Sequence, residues 1–98
     1  HAYNEPYKNF SELVYTRHAK CRMGCRNITE SEIREILNNG TLNKSKSGYD
    51  QKHRDETYAV EGYSSERQHI RVVVTPKGEQ LLVITVIDLD KDWTCDCT

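Results

Sequence analysis

The sequence predicts an α+β fold, with helices in the N-terminal half and a short antiparallel sheet in the C-terminal half. Two stretches between residues 13 and 40 carry apolar side chains at helical spacing, whereas residues 57–87 alternate or run apolar as strands do. A chain of 98 residues leaves room for one core. The expected organisation is an N-terminal arm at residues 1–12, a single domain at 13–90 and a cysteine-containing tail at 91–98.

The elements follow in order. Residues 1–11 are polar, with scattered Tyr and Pro6, and read as a loosely attached arm or an edge strand. From Leu13 to Arg26 the spacing is helical: Val14, His18, Arg22 and Arg26 recur every four residues, beside an apolar stripe of Ala19 and Met23. Gly24 weakens the end of this helix, which should stop near Arg26 or Asn27. A second helix opens on Thr29-Glu30-Ser31-Glu32, a capping box, with Ile28 stapled onto Ile33. Its buried face is Ile33, Ile36 and Leu37, and Asn39-Gly40 supplies a left-handed stop. Residues 41–56 are polar and suit an edge strand followed by a mobile loop. Residues 57–63 and 69–75 are expected strands, and Pro76-Lys77-Gly78-Glu79 is a turn. Residues 81–87 are apolar except for Thr85, as expected of a central strand covered on both faces.

Charge is unevenly distributed. The net charge is −1, which argues against a general polyanion binder. Residues 1–54 nevertheless hold ten Lys/Arg against six Asp/Glu, and residues 55–98 hold four against nine. The densest basic stretch, residues 17–26, has four fixed positive charges and no acid, so an anionic partner should meet it there. No run of about 18 apolar residues exists, so the chain as given is expected to make no membrane contact. It begins at His1 rather than Met, which suggests a mature or trimmed product.

The run Arg17-His18-Ala19, Arg22-Met23, Arg26-Asn27-Ile28-Thr29-Glu30-Ser31-Glu32-Ile33, then Leu37, Gly40, Val72-Val73-Val74 and Val83-Ile84-Thr85-Val86 resembles the domain-of-unknown-function family 4258. That family is grouped with the RelE-like toxins, which share a fold with barnase-type endoribonucleases. The resemblance covers about residues 13–88. It implies two N-terminal helices packed on a four-stranded antiparallel sheet, with a ribonuclease site between helix and sheet at His18, Arg22, Arg26 and Thr85. The chain departs from RelE-like ribonucleases in being slightly acidic and in carrying two cysteine pairs.

Metal-independent RNA cleavage needs a base for the 2′-hydroxyl, an acid for the leaving oxygen and a cation for the phosphorane. His18 suits the acid or base, and Arg22 and Arg26 the cation clamp, because residues four apart on a helix point the same way. Tyr49 or Tyr58 would stack a base, and Thr85 would orient a catalytic group. The competing expectation is structural: His18 as a packing residue, Arg22 and Arg26 paired with Glu61, Asp88 or Asp90, and Thr85 as a buried hydroxyl bonded to backbone.

Cys21 and Cys25 share one helical face, and Cys95 and Cys97 one side of an extended tail. Bonding within either pair is disfavoured by geometry. Cross-pairing leaves two forms, with free thiols as a third outcome. Two disulfides would link the first helix to the tail in an oxidising compartment, or four thiolates at Cys21, Cys25, Cys95 and Cys97 would hold a structural zinc at about 2.3 Å. Two functional expectations result. One is a RelE-like ribonuclease acting on RNA and restrained by an inhibitory partner protein. The other is a non-catalytic accessory domain, secreted or anchored outside the membrane and braced by its cysteines. The cysteines tilt the expected location towards the second.

Overall fold

The computed structural model describes residues 6–8, 10–50, 55–91 and 95–97. After a 3-10 turn at Pro6–Lys8 come β1 (Glu12–Tyr15), α1 (Arg17–Cys25), α2 (Glu30–Asn39), β2 (Thr41–Leu42), β3 (Gly48–Asp50), β4 (Asp55–Tyr63), β5 (His69–Lys77) and β6 (Gln80–Asp88). The sheet runs β1-β6-β5-β4-β2, with β3 also paired to β4.

This corrects the expected four-stranded antiparallel sheet. The first strand lies parallel to the last, with Leu13 opposite Leu81 and Tyr15 opposite Val83, so the sheet is mixed and has five positions. Leu13, Val14 and Tyr15 belong to this strand rather than to the first helix. The helical spacing of Val14 with His18 is coincidental: Leu13 faces the core while Val14 is only half-buried, a period of two, and Thr16 starts the helix.

The outer edge of β4 is covered in two instalments. β2 pairs with Val60 and Glu61, β3 pairs with Asp55 to Thr57, and a 3-10 turn at Lys44–Lys46 separates them. Asn43 caps that turn by accepting from the Ser45 and Lys46 N–H groups. The Ser47 hydroxyl then takes the Ala59 N–H at 2.9 Å, filling the gap in the ladder. The polar stretch thus holds two short edge strands; the loop expected after them falls partly on residues 51–54, outside the described residues.

β5 and β6 form the most extensive pairing, closed by a two-residue turn at Gly78 (φ 65°) and Glu79, with Pro76 inside β5 rather than in the turn. Register slips between Val73 and Val74, which face Thr85 and Val83, leaving Ile84 without an opposite residue. The buried side of β6 therefore changes from Leu81 and Val83 to Val86. Thr85 drops off that face, and the far face of β6 is half-buried rather than fully covered.

Both helices pack on one core. Ile33, Ile36 and Leu37 of α2 meet Val60, Ile70 and Val72, all at 1% exposure or less. Tyr7 also joins this core, although it lies within the segment read as an arm. Gly40 has φ −79° and is not a left-handed stop. Its lack of a side chain serves close approach instead, since a Cβ would sit 2.5 Å from the Ile36 carbonyl oxygen and 2.6 Å from that of Glu61.

Candidate functional site

The first helix occupies the edge of β6 that β1 leaves bare. β1 ends opposite Val83, and the next edge groups are taken from α1's two ends. Thr16 caps the helix by accepting from the Ala19 N–H at 3.0 Å, and its hydroxyl donates to the Ile84 carbonyl at 2.9 Å. At the other end the Arg26 guanidinium, 8% exposed, donates from Nη1 to the Val86 carbonyl at 2.6 Å. A helix has replaced the strand that would otherwise pair there, which protects the edge. The chain leaves α1 through Asn27 at φ 54°, with the Ile28 N–H on the Met23 carbonyl, a Schellman-type stop that Asn tolerates well.

The four cysteines meet along this helix as two disulfides, Cys21–Cys97 and Cys25–Cys95, with Cα separations of 5.8 and 6.1 Å. Their spacings match. Four residues of helix rise about 6 Å and two residues of extended chain about 6.6 Å, so an antiparallel tail presents its cysteines in register with α1. The sulfurs are bonded in pairs, and among the described residues no group of three or more His, Cys, Asp or Glu is placed to hold a metal ion.

The predicted stripe is drawn into this seam. His18 Nδ1 lies 3.2 Å from the carbonyl oxygen of Cys97, so one ring nitrogen is engaged by the tail. Arg22 Nε and Thr85 Oγ1 are both buried without a hydrogen-bond partner among the described residues. Arg26 is committed to the Val86 carbonyl. Arg71 and Asn43, rather than Arg22 or Arg26, hold Glu61, at 2.6 and 2.8 Å. Burial alone would raise the Glu61 carboxyl, but these hydrogen bonds and the nearby charges of Arg71 and His69 outweigh it and hold it below the usual carboxylate range. Tyr58 donates to Glu56 and rests against Tyr7, ring centroids 6.0 Å apart, so it closes the core rather than offering a free platform. The side chain of Tyr49 lies outside the described residues.

A second cluster escaped the sequence reading. The α1–α2 connection, the β4–β5 turn and the end of β6 meet around a groove of about 370 Å³ lined by residues including Arg26, Arg67, His69, Asp90 and Lys91. The turn is clamped from α2. The buried Glu32 closes the capping box on Thr29 and accepts from the Ser64 hydroxyl at 2.7 Å, and Glu35 accepts from Ser65. Nothing in the spacing of Ser64 and Ser65 points to the two carboxylates, which lie 32 and 30 residues earlier.

Fold and seam together define a small α+β domain with a mixed sheet, cross-linked from its first helix to its C-terminal tail. Residues 15–88 match the model of the family described as "Domain of unknown function (DUF4258)", and the chain belongs to that family. No curated protein and no solved structure matches it.

Proposed function

We propose that this chain is a non-catalytic accessory domain of an oxidising compartment, secreted or anchored outside a membrane, in which α1 is a fastening rather than an active site. The observation that carries this reading is His18: its Nδ1 contacts the backbone of Cys97, and Cys97 is bonded to Cys21 on the next turn of the same helix. A general acid or base needs a ring nitrogen presented to substrate. Here one of the two ring nitrogens is taken by a strap closed by two bonds spanning 76 and 70 residues. Disulfides persist where thiols are not kept reduced, which supports the compartment.

A ribonuclease of RelE type is the second reading. It draws on the resemblance and on Arg22 Nε and Thr85 Oγ1, two buried polar atoms without a partner among the described residues, each of which exposes less than 1 Å². Incubating the oxidised protein with single-stranded RNA separates the two. The accessory-domain reading expects intact RNA at high protein concentration and no binding at low salt. RNA cleavage by the wild-type chain that disappears in His18→Ala, with the fold intact by circular dichroism, would overturn it.

A further inference from the structure

We propose that the groove between the α1–α2 connection, the β4–β5 turn and the end of β6 is a binding site for an acidic sugar. The inference rests on the groove alone and stands separately from the reading of α1.

The first support is Arg67. It sits at φ 63° in the tight turn closed by Ser64 N–H to Gln68 carbonyl and Arg67 N–H to Ser64 carbonyl. A left-handed backbone costs a bulky residue about 1 kcal/mol relative to glycine. The arginine side chain is exposed, lines the groove and makes no hydrogen bond or ion pair with any described residue. A turn that would be better formed by glycine instead holds, at the rim of a groove, a cation with no side-chain partner among the described residues.

The second support is Tyr63. It is the exposed large hydrophobic residue among those described, at 66%, and its ring stacks on His69 with centroids 4.3 Å apart and planes 11° apart. His69 is in turn held by Asp90, with Nδ1 to Oδ1 at 3.5 Å. One face of the tyrosine is thus fixed by an anchored neighbour, leaving a preset flat surface beside the groove. A rigid aromatic with a polar rim gives contact area at low entropic cost.

The chemistry of the remaining lining selects the ligand. Among the described lining residues Arg26, Arg67 and Lys91 stand with Asp88 and Asp90, a surplus of one positive charge over the Arg, Lys and Asp side chains. That surplus is too small for a polyphosphate backbone, which is held by neutralising several phosphates. It suits a ligand with one acidic group and many hydroxyls: Arg67 for the acid, Asp90, Asn27 and Gln68 for the hydroxyls, and Tyr63 for the C–H face of the ring. The acid is a carboxylate or a sulfate ester.

Nuclear magnetic resonance titration of the oxidised chain tests this with four probes: a uronic-acid disaccharide, a sulfated disaccharide, their neutral parent and a single-stranded oligonucleotide. At least one acidic sugar should saturate with Kd of about 1 mM or tighter, shifting Tyr63, Arg67 and His69, and the neutral parent should bind about tenfold more weakly. Arg67→Gly should weaken the acidic sugar about tenfold while leaving the melting temperature equal or higher, which a merely structural arginine would not do. Tyr63→Ala should weaken both sugars alike. The uronic and sulfated arms tell the two acids apart. Absence of a saturable shift up to about 20 mM of either acidic sugar, affinity unchanged by Arg67→Gly, or preference for the oligonucleotide overturns the proposal.

Discussion

The two helices of this domain are of nearly equal length and are held in opposite ways. α2 buries Ile33, Ile36 and Leu37 almost completely, is capped at both ends and grips the β4–β5 turn through Glu32 and Glu35. α1 fully buries only Ala19, has no acid in its first turn and contains Gly24. What holds it is Thr16 and Arg26 at its ends and two disulfides along its flank. Apolar packing secures the helix with the broad buried stripe; polar clamps and covalent bonds secure the one that fully buries only Ala19.

The largest expected effect comes from the covalent side. Replacing all four cysteines by serine should cost about 4 kcal/mol or more on the loop-entropy model, since the first cross-link closes a loop spanning at least 70 residues, read as a drop in denaturant midpoint. A change near zero would mean that α1 needs no fastening. On the packing side, Ile36→Ala should cost about 3 kcal/mol, whereas Met23→Ala, at a half-buried position of α1, should cost about 1 kcal/mol. Equal losses at the two positions would erase the contrast. Arg26→Ala should cost about 2 kcal/mol, because it removes a charged donor from a buried carbonyl.

The smallest effect is electrostatic and belongs to neither helix. Glu61 has its folded pKa lowered, so its contribution is complete above the ordinary carboxylate value near about 4.3 and is lost as pH falls through the lower folded value. For a partly exposed pair this amounts to about 1 kcal/mol or less. Arg71→Ala should flatten the acid limb of the stability profile; an acid limb unchanged in that variant would remove Glu61 from the account.

Much of α2 was legible in advance, because its information is local: a capping box, a staple and a stripe at three- and four-residue spacing. The cross-pairing of the cysteines was legible as geometry, though not as disulfide rather than zinc, since spacing says where thiols meet and not what joins them. β1 was misread because four residues are too few to separate a period of two from a helical one, and its partner β6 lies 68 residues away. Thr85 kept its apparent place among core residues until the bulge at Ile84 shifted the pattern, and a bulge leaves no trace in an apolar run. The groove was invisible for a similar reason: Asn27, Arg67 and Asp90 meet only through tertiary structure.

Hydrogen exchange on the reduced chain tests the contrast between the helices most directly. With both disulfides opened by a dithiol, amides of α1 from Lys20 to Arg26 should exchange through an opening of lower free energy than amides of α2 from Ile36 to Gly40, while in the oxidised chain the two helices should be protected alike. Equal protection of the two helices after reduction would contradict the account, because packing alone would then be holding both.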